Sequence, residues 1–238
     1  MRARSSSIAV FVLAACAFLI LIGLGTWQLQ RLAWKEDIVA RVTERTAAAP
    51  VALPEPAAWP GLDLSEWEYR PVTVTGRFRH DLEARVYTLL SDAKGPAEGP
   101  GYWIVTPLER AGGGAVLVNR GFVPLENHQP AARPEGEVTV SGLLRAPEER
   151  NMFTPDDRPS ERLFYARDPA AVAAGLGIAL APFSVDAAAS PAAGLPQGGE
   201  TRLTFPNRHL EYALTWYGLA GALLGVGAAF ALARRRRA

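Results

Sequence analysis

Two long apolar runs, one near each end of the chain, dominate its pattern of hydrophobic and polar positions. The first covers residues 8–25 and the second covers residues 212–233. Both approach the roughly 20 residues that a helix needs to cross the apolar core of a bilayer. Hydrophobicity continues past Cys16, which argues against a cleaved signal peptide or lipoprotein processing at that cysteine. The pattern therefore predicts two uncleaved transmembrane helices, residues 8–29 and 209–233.

Between the two apolar runs, segments of alternating and β-branched residues predict a sheet. The predicted strands are residues 71–78, 83–90, 102–108, 116–123, 138–144 and 182–185. Asp168 followed by Pro169 predicts the start of a short helix that ends at Gly175 or Gly177. The predicted fold is a membrane protein in which two transmembrane α-helices flank a mainly antiparallel-β (α+β) extracytoplasmic domain. Closure of the strands into a barrel is left open.

The flanking charges predict the orientation and the domain boundaries. Arginines precede the first apolar run and follow the second, so both termini are expected in the cytoplasm. Alanine and proline are frequent in residues 47–60, which predicts a linker. The expected segments are a cytoplasmic N-terminus (1–7), a helical extension and linker (30–63), the β-rich domain (64–190), a return loop (191–208) and a basic tail (234–238).

Composition narrows the chemistry of the predicted domain. The net charge of +1 gives no basic surplus for nucleic-acid binding, and a single cysteine allows no disulfide framework or CxxC site. His80 and His128 are predicted to be solvated loop histidines, and no hydrolase or phosphate-binding motif is present. The acidic pairs at 148–149 and 156–157 are predicted to be solvated turns, with a divalent-cation site as the alternative. The chain is therefore not expected to be an enzyme.

The outer ends of the two predicted helices carry candidate binding residues. His209 shares a helix face with Tyr212, Ala213 and Trp216 at 3.6 residues per turn, so an imidazole and aromatic groups could hold a flat cofactor at the membrane edge. The alternative is an interfacial histidine in an ordinary aromatic belt.

The predicted topology brings the outer end of the first helix to the same membrane face. This end carries Trp27, Gln28 and Arg31. Trp27 and Arg31 are four residues apart and are expected on one helix face, where arginine could neutralise a propionate. Routine membrane anchoring by interfacial Trp and Arg is the alternative, and these residues taken alone favour it.

Four sequence blocks, taken in order, resemble the surfeit locus protein 1 family of cytochrome oxidase assembly factors. The blocks are residues 24–35, residues 101–108 leading into 116–124, residues 153–155 before 164–168, and residues 209–217. Arg120 and Arg167 lie within these blocks, and a structural role as strand-end charges explains them. The lack of a long Arg- and Ser-rich presequence leads us to expect a bacterial member.

The resemblance implies a role in assembling haem-copper cytochrome c oxidase, by binding haem A and placing it in subunit I. It implies His209 as the axial haem ligand, with Trp27, Gln28, Arg31, Tyr212 and Trp216 as further cofactor-binding residues. The expected partners are oxidase subunit I, haem A synthase and the lipid bilayer, and homo-oligomerisation is left open. The expected location is the bacterial inner membrane with a periplasmic central domain.

Two other functions are retained. One is a membrane scaffold that stabilises nascent subunit I without binding haem. The other is a membrane-anchored hydrolase or sensor that uses the β-rich domain.

Overall fold

A computed structural model describes residues 2–127, 132–189, 194–201, 203 and 207–236 of the chain. The helices are α1 (Arg2–Ala47), α2 (Leu64–Trp67), α3 (Pro169–Leu176) and α4 (His209–Arg235). The strands are β1 (Val51–Ala52), β2 (Pro71–Phe78), β3 (Ala84–Leu90), β4 (Gly99–Glu109), β5 (Ala115–Pro124), β6 (Glu137–Arg145), β7 (Leu163–Phe164) and β8 (Ser184–Ala187). The chain forms two compact units, residues Met1–Arg41 with Thr204–Ala238, and residues Val42–Leu203.

The first unit consists of α4 and most of α1. Both helices are long and apolar enough to cross a membrane, and only 6% of each apolar window is buried inside the protein. Apolar side chains that the protein leaves uncovered suit a lipid environment, which supports the prediction of two transmembrane helices. The helical extension predicted after residue 29 is continuous with the first helix, because α1 runs without a break to Ala47.

Small residues let α1 and α4 approach each other. Ala213 and Ala220 of α4 are each 1% exposed, and a Cβ added to Gly25 of α1 would lie 2.7 Å from the ring of Tyr217. The hydroxyl groups of Thr26 and Tyr217 are 3.1 Å apart at the same level. Small side chains at such positions allow the close backbone contact that drives helix association in membranes.

The second unit contains a closed five-stranded barrel. Strands pair in the cyclic order β2, β6, β8, β5, β4 and back to β2, and the closing pair matches Arg77 with Glu109 and Phe78 with Leu108. β3 extends the sheet from β4, and β7 pairs with β3. The prediction of a mainly antiparallel sheet is confirmed, and the question of closure is answered by the pairing.

Three parallel pairings were not predicted. These are β1 with β2, β3 with β7 and β5 with β8. Strand β8 is the last in sequence, yet it lies between β5 and β6 in the barrel. The periodicity of a sequence identifies strands but does not show which strands pair. The position of β8 between β5 and β6 could therefore not be predicted from it.

The segment predicted as a linker contributes to the core of the barrel. Leu53 is 3% and Trp59 is 8% exposed, and the Trp59 ring contacts Phe183 edge-on with centroids 5.7 Å apart. The indole Nε1 donates a hydrogen bond to the Pro54 carbonyl at 2.9 Å. The interpretation of residues 47–60 as a linker therefore differs from the structure. Pro56 begins a 3₁₀ helix, Pro56–Gly61, that positions Trp59.

The short helix α3 is confirmed together with its caps. The Asp168 carboxylate accepts a hydrogen bond from the Ala170 amide at 2.9 Å, and Pro169 occupies the first turn. Gly177 ends the helix with φ of 68°, a conformation that glycine adopts without steric cost.

Candidate functional site

A hydrogen bond between His209 and Gln28 joins the two long helices. His209 is the first residue of α4, and its Nδ1 lies 2.7 Å from Oε1 of Gln28 in α1. The Asn207 side chain accepts a hydrogen bond from the His209 amide at 3.3 Å, which holds the start of α4. Gln28 is only 9% exposed, and His209 is half-buried.

This hydrogen bond determines the tautomer of the histidine. The amide oxygen of Gln28 can only accept, so Nδ1 of His209 must carry the hydrogen and donate it. In the neutral ring, the lone pair is then on Nε2. Among the residues that the structure describes, Nε2 of His209 has no hydrogen-bond partner. Metal-binding histidines commonly have this arrangement, in which one ring nitrogen donates to a fixed acceptor while the other remains available.

The other predicted residues on α4 divide between two faces. Ala213 is buried and Trp216 is half-buried on the face that includes His209, whereas Tyr212 is 53% exposed. The sequence analysis expected all four on one face. The face turned toward α1 instead follows His209, Ala213, Trp216 and Ala220, a spacing close to 3.5 residues that is typical of left-handed helix pairs.

The predicted residues on α1 are also separated. Gln28 points to α4, while Trp27 is 50% exposed. The guanidinium of Arg31 lies 4.3 Å from the ring centroid of Trp34, so its aromatic neighbour in the structure is Trp34. The sequence analysis expected Trp27 and Arg31 only to share a helix face; the cation–π contact of Arg31 is with Trp34, three residues along the helix.

A second polar cluster is buried in the barrel unit and centres on Asp186. This carboxylate is 3% exposed and accepts hydrogen bonds from Asn119 and Arg167, each at 3.0 Å. Arg145 and Thr201 donate to its other oxygen at 3.2 and 3.0 Å. A cavity of about 210 Å³ adjoins this cluster. Sequence reasoning missed Asp186, because a single acidic residue at the end of a short strand gives no periodic signal.

The charges of this cluster are balanced. Arg145 and Arg167 both bond to Asp186, and Arg145 also lies 3.5 Å from the Glu68 carboxylate. Buried ion pairs are tolerated when the geometry is good and further hydrogen bonds satisfy the charged groups, as they do around Asp186. We therefore assign the cluster a structural role. Arg167 is buried outside the strands and Arg120 lies inside β5, so neither is a charge at a strand end as predicted.

His80 belongs to a third cluster and is not a solvated loop histidine as predicted. Its Nε2 donates to the Pro134 carbonyl at 2.8 Å, and its Nδ1 lies 3.8 Å from the Glu83 carboxylate. Glu83 also bonds Arg120 at 2.8 Å and Arg133 at 3.1 Å. Burial lowers the pKa of the Arg120 guanidinium, and the negative charge of Glu83 opposes that shift.

The remaining catalytic and metal candidates gain no support. His128 lies outside the described residues. Within the described part of the chain, no three His, Cys, Asp or Glu side chains converge as a metal site. Asp157 instead accepts hydrogen bonds from Arg150 and from the Tyr165 amide, both at 2.8 Å, and Glu148 accepts from the Arg167 amide at 3.2 Å.

Comparison with known proteins identifies the family. The model of the SURF1 family matches residues 15–221, which include both Gln28 and His209. The chain belongs to the SURF1 family. It is 37% identical to rat surfeit locus protein 1 over 215 residues, covering 84% of this chain and 68% of the rat protein.

Other relatives in the SURF1 family show the same extent of similarity. Human surfeit locus protein 1 is 38% identical over 216 residues, and a SURF1-like protein of Drosophila melanogaster is 39% identical over 218 residues. Each of these matches covers 84% of this chain and 70% of the relative. The family resemblance drawn from the four sequence blocks is confirmed.

Proposed function

We propose that this SURF1-family chain is an assembly factor for haem-copper cytochrome c oxidase that holds haem A through His209 and assists its placement in subunit I. The observation that supports the proposal is the hydrogen bond from Nδ1 of His209 to Gln28. This bond fixes the ring and leaves Nε2 available at the end of a membrane helix. Family membership supports the assembly role, and the donor chemistry supports the cofactor.

The residues at the helix ends fit the cofactor by their chemistry. Bound haem A would supply an iron that a neutral imidazole nitrogen can ligate. His209 would provide that nitrogen, and Gln28 would orient the ring and raise its basicity by accepting the Nδ1 hydrogen. Trp216 shares the helix face of His209, and Trp27 and Tyr212 offer exposed aromatic surface for a flat, apolar ring. Arg31 supplies a cation for a propionate.

Delivery requires that the cargo be released. A single protein ligand on a half-exposed helix end would hold the cofactor less tightly than an enclosed site, and this would suit transfer to subunit I. The proposed setting is a bacterial inner membrane with both termini cytoplasmic and the barrel unit periplasmic. The proposed partners are subunit I and haem A synthase.

A scaffold that stabilises nascent subunit I without haem is the alternative function. The same hydrogen bond favours it in one respect, because a histidine bonded to a buried glutamine also serves to fasten two membrane helices. The two functions differ in what happens when the imidazole is removed.

The deciding experiment is the absorption spectrum of the purified full chain after co-expression with haem A synthesis, with wild type beside His209→Ala. We expect oxidised and reduced haem bands in the wild type and their loss in a variant that keeps its helical circular dichroism. Added imidazole should restore the bands in the variant by replacing the missing ligand. If neither protein carries haem and His209→Ala still restores oxidase assembly in a deletion strain, the haem-binding function is wrong and the scaffold function replaces it.

A further inference from the structure

An apolar groove lies between α1 and α4 at the end of the helix pair that carries the arginines. Its volume is about 840 Å³, and its walls include Phe11 and Phe18 of α1 and Gly227 and Phe230 of α4. The groove is at the opposite end of α4 from His209, about 27 Å away along 18 residues at about 1.5 Å each. It is therefore separate from the proposed haem site and does not depend on it.

Small residues keep this groove open. Gly227 is flanked by other small residues along its wall, and a Cβ added to Gly227 would meet no atom within 4 Å. At the His209 end, by contrast, Tyr217 fills the space above Gly25 and the two helices are in contact. The two helices thus touch at one end and leave room for an apolar chain at the other.

The length of the groove matches one leaflet of a bilayer. Its wall on α4 runs from Leu223 to Arg235, about 18 Å at about 1.5 Å per residue. Half of a bilayer core of about 30 Å is about 15 Å. A lipid acyl chain of one leaflet therefore fits the groove along its axis, whereas a helix that crosses the whole membrane would extend well beyond it.

Charge selects the class of lipid. Arg234 and Arg235 line the end of an otherwise apolar wall. Guanidinium groups form paired, charge-assisted hydrogen bonds with phosphate oxygens. Basic pockets between membrane helices are typical sites for anionic headgroups.

We infer that this groove is a binding site for an anionic phospholipid, with an acyl chain along the Gly227 wall and the phosphate at Arg234 and Arg235. The bound lipid fills the space that the two helices leave between them. It thereby stabilises the helix pair from the end opposite to the Gln28–His209 hydrogen bond.

Spin-labelled lipids test this inference with the full chain reconstituted in bilayers. The two lipids compared are phosphatidylglycerol and phosphatidylcholine, which carry identical chains labelled near the terminal methyl. Electron spin resonance measures the fraction of each lipid whose motion is restricted by the protein. We expect wild type to prefer phosphatidylglycerol. In the double variant Arg234→Gln, Arg235→Gln, the ratio of restricted phosphatidylglycerol to restricted phosphatidylcholine should fall roughly fivefold for each arginine removed. Arg208→Gln, at the other end of α4, should leave the preference unchanged.

A pair of glycine variants tests the groove itself. Gly227→Leu fills the wall, and Gly221→Leu makes the same change at a position on α4 that is equally open but outside the groove. We expect only Gly227→Leu to release the restricted lipid. Equal restriction of both lipids in wild type, or retention of lipid by Gly227→Leu, overturns the inference. So does a wild-type dimer that Gly227→Leu converts to monomer, because the groove would then be filled by a second copy of the chain.

Discussion

Replacing Gln28 with leucine keeps the proposed iron ligand, His209, but removes the side chain that orients its ring. Leucine keeps a similar size but removes the oxygen that lies 2.7 Å from Nδ1 of His209. Because Gln28 is 9% exposed, water replaces that acceptor poorly, and an unmatched donor of this kind costs about 1–3 kcal/mol. The ring can then move its hydrogen to Nε2 or rotate, and either change removes the lone pair from the proposed iron position.

The expected loss of affinity follows from this cost. At about 1.4 kcal/mol per tenfold change, the lost hydrogen bond corresponds to about 5- to 140-fold in Kd. Loss of a hydrogen-bond partner behind a metal-binding histidine has an effect of the same order, about 10- to 100-fold. Titration of the purified full chain with haem A, followed by absorbance, measures this Kd. Gln28→Glu restores an acceptor, so it should lose less affinity than Gln28→Leu.

Gln30 provides the matched control. It is the same residue type two positions further along α1, where it is exposed. Gln30→Leu should bind haem A as wild type does. If Gln28→Leu also retains wild-type affinity while His209→Ala has lost it, then His209 binds without orientation by Gln28, and the tautomer reasoning is refuted.

Two predictions concern the stability of the barrel unit, measured by urea unfolding of the full chain in detergent and followed by tryptophan fluorescence. Asp186→Asn should destabilise it by about 3–5 kcal/mol, because two buried guanidinium groups lose their shared counter-charge, and the exposed Asp156→Asn should change little. A loss below about 1 kcal/mol would show that the arginines find other partners. Trp59→Ala should cost about 3–5 kcal/mol by leaving a cavity against Phe183, whereas Trp34→Ala on exposed α1 surface should cost under about 1 kcal/mol. Equal effects of the two tryptophan variants would contradict the assignment of residues 47–60 to the core.

The sequence predicted those features that depend on neighbouring residues. The caps of α3 at Asp168 and Gly177 are local chemistry, and so is the alternation that marks β2 through β6. The apolar runs that predict the membrane helices are equally local. Each of these signals is complete within about one to two turns or one strand, so no tertiary contact is needed to read it.

The features that sequence reasoning missed all depend on distant partners. Trp59 is in a Pro- and Ala-rich stretch, and only its contact with Phe183 makes it a core residue. Asp186 is understood only with Asn119 and Arg145, which come from β5 and β6.

The candidate site shows the same division. Its members on both helices were named from sequence, but the Gln28–His209 hydrogen bond and the departure of Tyr212 from the shared face depend on how the two helices pack.

The position of β8 has a consequence for the biogenesis of the protein. β8 supplies the ladder between β5 and β6, yet 38 residues separate it from the end of β6. At about 5–20 residues per second, synthesis of that segment takes about 2–8 s, during which the two neighbouring strands present unpaired edges. The barrel can close only after β8 has been synthesised, when translation has nearly reached the second membrane helix. Chains truncated before residue 184 would therefore leave an open sheet tethered to the membrane by α1, a form that proteases recognise readily.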